Sequence, residues 1–329
     1  MGVKDITHGH HLDENDIRLI ISVAERYYEF GQTQQEIADQ LGISRPKVSR
    51  LLTRARQEGI VQISIVNPFS REKEVVRELV EKYHPYGLED AVVVPTSLRE
   101  DALIAQKLGQ VAASYLCEHL SDGEVVGIGR GRTIYEMVKA LPEREFPNVQ
   151  IVPLSGGLGQ ADARFQVNEM AHRAAERLGG RCVYLYAPAI VESEQSKKAL
   201  YSVPHIRKAV QLWDHLDWAI VGIGAIDSPH NAEYFQVMKY LIDVLDVRNA
   251  VGDICLWHFD FNGSFCKGKH DILISITPEQ LKRSKKTLAV AGGAKKVGAI
   301  AAALKGGIVS VMVTDEYTAR KVLETTQQE

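Results

Sequence analysis

Apolar residues repeat along this chain with two different periods, and the change between them divides it. Near the N-terminus the period is helical. In the run IRLIISVAERYYEF, Ile17, Ile20, Ile21, Ala24 and Tyr28 fall on one face, which predicts an amphipathic helix over residues 13–30. In residues 34–53, QQEIADQLGISRPKVSRLLT, Ile37 and Leu41 stand at i, i+4 and Val48 and Leu51 at i, i+3, while Ile43 closes a small core between them. This spacing predicts two short helices joined by a tight turn. Gly42 stands where the chain must reverse, and Ala38 where the helices come closest. Thr33 and Glu36 have capping-box spacing for the first helix, Ser44 is placed to N-cap the second, and Pro46 is tolerated in its first turn. Beyond Gly59, IVQISIV (60–66) alternates apolar and polar positions and predicts a strand, part of a small wing.

Asn67 and Pro68 interrupt the pattern, and a charged run from Ser70, REKEVVRELVEKYH, carries Val75, Val76, Leu79 and Val80 as an apolar stripe. It reads as a linker helix between domains or as a dimerising helix. From about residue 88 short continuous apolar runs alternate with helical ones. The strand candidates are AVVVP (91–95), VVGIG (125–129), VQIVPLSGG (149–157), CVYLYAP (182–188), WAIVGIGA (218–225), AVGDICLWHFD (250–260), TLAVAGG (287–293) and IVSVMVTD (308–315). Helical runs fall over 101–120, 133–140, 165–178, 205–214 and 295–304. Buried strands between helices imply an α/β fold with a parallel sheet covered on both faces. The expected organisation is an all-α, winged helix-turn-helix domain (1–66), a linker helix (67–87) and an α/β domain (88–329).

Charge gives the helix-turn-helix a function. The whole chain has a formal net charge of −3, but the second helix carries Arg45, Lys47, Arg50, Arg54 and Arg56 with no acidic residue through Gln57. Phosphate contacts are made by one face of one element, so local charge outweighs the total. A helix in this position enters a DNA major groove; the bland alternative is a helical hairpin with a solvated basic face. Ser44, Arg45, Lys47, Ser49, Arg50 and Arg54 are the DNA-contact candidates. Lys47 and Arg50 are placed to reach base edges, Arg54 and Arg56 to touch phosphates. A dimer would set two such helices on the half-sites of a palindrome.

No run of about eighteen apolar residues is present, and the polar start MGVKDITHGHHLDEND has no apolar signal region. The scattered Cys117, Cys182, Cys255 and Cys266 show neither metal-ligand spacing nor a disulfide framework. A cytoplasmic protein without a bound metal or membrane segment is expected. His8, His10 and His11 read as part of a polar tail.

Four apolar runs end in glycine-rich turns: VVGIGRGRT, VPLSGGLG, VGIGA and AVAGGAKK. In an open parallel sheet, ligands bind beyond the carboxyl ends of the strands, where glycine admits close approach and a following helix offers N–H groups to an anion. Tight βα turns alone would also need glycine. Gly127, Gly129 and Gly131 are followed by Arg132 where a dinucleotide fingerprint has its third glycine, and no phosphate-binding lysine loop is present, so neither NAD nor ATP is expected. A phosphorylated small molecule fits better, held by backbone amides near Gly129 to Thr133 and by the Thr133 hydroxyl, with Lys295 or Lys296 adding charge. Asp253 is placed either to accept from sugar hydroxyls or to cap a turn.

The motifs YYEFGQTQQEIADQLGISRPKVSRLL, VGIGRGRT, VPLSGGLG, VGIGA, AVGDI and AVAGGAKKVGAIAAALKGGIVSVMVTDEYTA, in this order, resemble the SorC family of bacterial sugar-responsive transcription regulators over roughly Ile17 to Leu323. The resemblance implies an effector domain similar to sugar-phosphate isomerase and deaminase folds, a phosphorylated sugar or sugar alcohol as effector, and a tetramer built as a dimer of dimers. It carries ligand contact onto Gly129, Arg130, Gly131, Arg132, Thr133, Ser155, Gly156, Gly157, Asp253 and Lys296. Many relatives have Trp where this chain has Arg130, and Ser155 stands where an imine-forming Lys would. The competing reading is a sugar-phosphate isomerase- or deaminase-like enzyme fused to a DNA-binding module. Asp227, Asp253, His258 and Asp260 would be its acid–base candidates.

Overall fold

Three helices form where the helical period runs: α1 (Glu14–Tyr28), α2 (Gln34–Leu41) and α3 (Arg45–Gln57). The computed structural model describes residues 14–61, 63, 72–159, 165–226, 249–266, 268 and 270–325. The capping box at α2 is present: the Thr33 backbone N–H donates to Glu36 Oε2 at 2.8 Å, and the Glu36 N–H to Thr33 Oγ1 at 3.3 Å. The Thr33 backbone N–H and, at 2.9 Å, its hydroxyl both donate to the Glu36 carboxylate and hold it below its ordinary pKa. Gly42 ends the helix in the left-handed region (φ 65°), as the turn requires.

Three details differ from the sequence reading. Ser44 occupies the N-cap of α3 but makes no side-chain capping bond. On α3 the buried stripe is Val48, Leu52 and Ala55, with Leu51 only half-buried, because this helix packs against both α1 and α2. On α1, Ile20, Val23 and Ala24 are buried, while Ile21 and Tyr28 lie on the flank at 38% and 37% exposure. The expected strand at 60–66 falls largely outside the described residues.

The chain divides into two units, Met1–Pro68 and Phe69–Glu329. Helix α4 (Glu72–Tyr83), read as a linker, packs within the second unit. Its buried Val75, Leu79 and Tyr83 lie against this unit's own core.

The second unit is built on a parallel seven-stranded sheet. Its strands are β1 (Asp90–Val94), β2 (Val125–Ile128), β3 (Gln150–Pro153), β4 (Arg181–Cys182), β5 (Trp218–Val221), β9 (Lys286–Val290) and β10 (Val311–Asp315), in the spatial order β1-β10-β9-β5-β2-β3-β4. Alternation along the strands feeds two separate cores. Val126, Ile128, Ile151, Ile220, Val290 and Val313 face one side, packed by α5 (Asp101–His119), α6 (Arg132–Ala140) and α7 (Val167–Leu178). Val125, Val152, Ala219, Val221, Ala289 and Met312 face the other. That side is packed by α4, α9 (Pro204–Leu212), α10 (Pro278–Arg283), α11 (Val297–Lys305) and α12 (Glu316–Glu324). Both faces are therefore covered, as continuous apolar strands require. A further helix, α8 (Glu194–Ser202), buries no residue fully and escaped the pattern.

Three expected strands are not continuous: WAIVGIGA pairs in the seven-stranded sheet only over β5, and its Gly224–Ala225 enters another. Of CVYLYAP only Cys182 pairs in the sheet, together with the preceding Arg181. The run AVGDICLWHFD folds back on itself as a hairpin, β7 (Gly252–Ile254) and β8 (Trp257–Phe259), which joins β6 (Gly224–Ala225) in a separate three-stranded antiparallel sheet. The hairpin turns at Cys255 (φ 50°) and Leu256 (φ 72°), two non-glycine residues in the left-handed region. Nothing in local sequence announces such a turn. Burial of Leu256 and the bond from Ser275 Oγ to Cys255 O (2.7 Å) hold it.

Candidate functional site

On α3 the buried stripe fixes which side chains face outward. With Val48, Leu52 and Ala55 inward, Ser44, Arg45, Lys47, Ser49, Arg50 and Arg56 are exposed. Arg54 is half-buried, its Nε 3.6 Å from Glu58 Oε1. The candidates thus share the surface opposite the small core, a basic helix face of the kind that enters a DNA groove.

In the second unit a cavity of about 180 Å³ opens beyond the carboxyl ends of the three adjacent strands β9, β5 and β2. The β2 loop contributes Arg130 to Thr133, and the β5 loop contributes Gly222 to Ala225. The β9 loop contributes Gly292, Gly293, Lys295 and Lys296. Asp101, Ala105 and Leu108 of α5 line another side, and Asp253 and Cys255 of the hairpin complete it. Arg130, Arg132, Lys295 and Lys296 face two carboxylates, Asp101 and Asp253, so cations outnumber anions.

Local conformation follows from the glycines. Gly131 (φ 128°, ψ 161°) and Gly293 (φ 99°, ψ 146°) both sit at or near a region of backbone space that is essentially reserved for glycine. Each precedes a helical turn whose first residues line the cavity, and the first N–H groups of such a turn have no partner within it. Gly224 has a different reason: a Cβ there would overlap the Asp253 carboxylate.

Electrostatics separate the groups. Loss of hydration draws the Lys296 ammonium below the ordinary lysine pKa; Asp253 and Asp101 oppose this and Arg132 reinforces it. Burial pushes the Cys255 thiol up to about 12, with Asp253 adding to the rise and Arg130 opposing it, so it stays protonated. His258, wholly buried and cross-strand from Asp253, has its pKa lowered by desolvation against the pull of that carboxylate.

The cavity thus gathers Arg130, Gly131, Arg132, Thr133, Asp253 and Lys296 of the sequence candidates, and not Gly129, Ser155, Gly156 or Gly157. Gly129 belongs to the sheet: its N–H donates to Ile220 O, and a Cβ would lie 2.9 Å from that oxygen. Ser155 is buried, in a bridge with Ser275. A Cβ on Gly156 would overlap the Pro188 backbone. Gly157 exchanges backbone bonds with Ala187 and Ala189. These three therefore serve chain crossing. Of the acid–base candidates, Asp227 lies outside the described residues, and Asp260 is held in a turn by the N–H groups of Asn262 and Ser264. Gly222 and Gly224 belong to the expected VGIGA turn, whereas Asp101 and Cys255 were not foreseen. Asp101 opens the helix after AVVVP, a position the rule for strand carboxyl ends would have flagged.

Comparison with known proteins agrees with this geometry. Residues 69–324 match the family described as "Putative sugar-binding domain", and residues 17–68 match a Crp-like helix-turn-helix domain. The chain is 33% identical over 319 residues to the sorbitol operon regulator of Klebsiella pneumoniae, covering 95% of this chain and 99% of that one. It is 31% identical over 315 residues to the deoxyribonucleoside regulator of Bacillus subtilis, again covering 95% and 99%. The crystal structure of the full-length sorbitol operon regulator SorC from Klebsiella pneumoniae aligns with a TM-score of 0.76 at 31% identity, over 95% of this chain and 100% of that one.

Fold, site and likeness together define a DNA-binding transcription regulator with a helix-turn-helix and a sugar-binding domain, rather than an enzyme. The chain belongs to the SorC family of bacterial sugar-responsive transcription regulators. Among the described residues no helix is long and apolar enough to cross a membrane.

Proposed function

We propose that the cavity beyond β9, β5 and β2 binds a phosphorylated sugar or sugar alcohol, and that its occupancy sets the affinity of the helix-turn-helix for a palindromic operator. The carrying observation is the arrangement of charge: four cations and two carboxylates around one cavity, which the first residues of two glycine-started turns also line. Arg130, Arg132, Lys296 and the amides after Gly131 take the phosphate, with Thr133 Oγ1 as a further partner. Asp253 and Asp101 accept from sugar hydroxyls, which a purely phosphate-binding site would not need. The protein acts as an oligomer, because one short basic helix reads too few base pairs alone; membership of the SorC family implies that it is a dimer of dimers.

The test is a thermal-shift screen of phosphorylated sugars against their free counterparts. A true effector at about a thousand times its Kd adds roughly 4 kcal/mol of stability. Equal responses to sugar and sugar phosphate would remove the phosphate from this reading. On the DNA side, Arg50→Ala should lose about 1–3 kcal/mol of discrimination at one base pair. Uniform weakening across all sequences would move Arg50 from base reading to phosphate contact.

A further inference from the structure

The helix α12 joins two places that the binding reading leaves apart. Its first turn lies under the cavity. Asp315 and Thr318 are almost wholly buried there, at 1% and 0% exposure. The Gly293 N–H donates to both Asp315 Oδ2 and Thr318 Oγ1 at 2.8 Å. The Thr318 hydroxyl donates to the same carboxylate oxygen at 2.6 Å, and the Thr318 N–H to Asp315 Oδ1 at 2.9 Å. A Cβ on Gly292 would overlap that carboxylate, so the loop sits directly on it. A second cavity segment is tied to the same turn: the Arg99 guanidinium lies 4.7 Å over the Tyr317 ring, two residues before the lining Asp101.

The other end of α12, about 13 Å away along nine residues, is held by α4. Lys82 Nζ donates to Val322 O (3.3 Å), Leu323 O (2.9 Å) and Thr325 O (3.0 Å). A cation on the last carbonyls satisfies them and opposes the helix dipole. Between the ends, Ala319 is buried in one cluster with Val75 of α4 and Val93 of β1. The helix is therefore fastened at both ends by hydrogen bonds and along its side by packing.

We propose that α12 is a strut which carries the state of the Gly293 loop to α4, the first described helix following the DNA-binding unit in the chain. Asp315 and Thr318 are positioning residues in it, and Lys82 is its far joint. An anion that draws Lys295 and Lys296 inward displaces the Gly293 amide, and the buried bonds pass that displacement to the helix instead of letting the loop absorb it. The ligand half of this proposal rests on the anion reading of the cavity; the mechanical half does not.

Hydrogen–deuterium exchange on the full chain separates the two. Without ligand, Thr318→Val removes the shared hydroxyl at nearly constant shape. It should speed exchange by about 2–10-fold, the worth of one buried hydrogen bond, in both residues 291–296 and helix 72–83. Helix Pro204–Leu212 should stay unchanged, and Thr318→Ser should restore both segments. Loosening of 291–296 alone, or an equal rise in Pro204–Leu212, overturns the strut. With inorganic phosphate, the wild type should gain protection in both segments. Lys82→Met should keep it in 291–296 and lose it in 72–83; transmission through Lys82→Met at the wild-type level also overturns the proposal. If phosphate leaves 291–296 of the wild type unprotected, the anion reading falls, while the ligand-free arm still decides the strut.

Discussion

The loops after β2 and β3 follow neighbouring strands and read alike, GRGRT and SGGLG, yet they do opposite things. After β2, Gly131 has no atom within 4 Å of where a Cβ would be, and its need for glycine is purely torsional. The space it leaves is the cavity. After β3, Gly156 has ordinary torsions and no space at all, because the chain at Ala187 and Pro188 crosses against it. A glycine kept for its backbone angles opens a site, whereas a glycine kept for clearance closes a core.

Substitutions can break this comparison. The largest effect is expected for Gly156→Ala, which forces a methyl onto backbone atoms that cannot step aside. A loss of about 1–3 kcal/mol or more is expected, with a Tm drop of about 2–4 °C per kcal/mol for a domain of this size. The folded fraction should bind effector normally in a titration; a changed Kd would place the β3 loop in the site after all. Gly131→Ala should cost about 1–3 kcal/mol through torsional strain, and here effector affinity should fall as well, because the amides are re-aimed. Loss of stability with unchanged affinity would make the two loops equivalent.

Thr133→Val is milder: about 2–10-fold weaker effector binding, the range for one hydrogen bond, with Tm nearly unchanged. The pH dependence is the smallest effect. The cavity carries Lys296, whose pKa is lowered by burial. Affinity for a phosphate-bearing ligand should decline as pH rises through that lowered value, since the ammonium attracts the anion. Stability of the empty protein should move the other way. In the window between the folded value and the ordinary lysine value the unfolded chain holds the proton more tightly, so raising pH favours the fold. In calorimetry across a pH series, Lys296→Met should abolish the affinity trend and weaken the stability trend, to which Lys82 and Lys197, also lowered by burial, contribute.

Local signals were legible and long-range ones were not. The capping box of Thr33 and Glu36 and the turn at Gly42 depend on residues a few positions apart, and the chain shows them directly. Whether the run 250–260 stays straight or folds at Cys255 and Leu256 depends on Ser275 and on burial of Leu256, which its own sequence does not contain. The stripe of Val75 and Leu79 announced a partner for α4 without naming it; the partners proved to be β1, α12 and the core beneath them. Lys82 shows the same limit, since its acceptors lie some 240 positions away in sequence.

By itself the sequence determined the helix-turn-helix with its outward basic face, the parallel α/β domain, the family, and the glycine-rich ends of the strands. Those follow from periodicity, charge and residue type, which act over a turn of helix or a pair of strands. The tertiary structure alone decided which glycine loops meet at a cavity, which merely pass another chain segment, that Asp101 joins Asp253 opposite the cations, and that α12 spans from the cavity to α4. These depend on the spatial order of strands and on steric clearance between segments distant in the chain, and no local pattern records them.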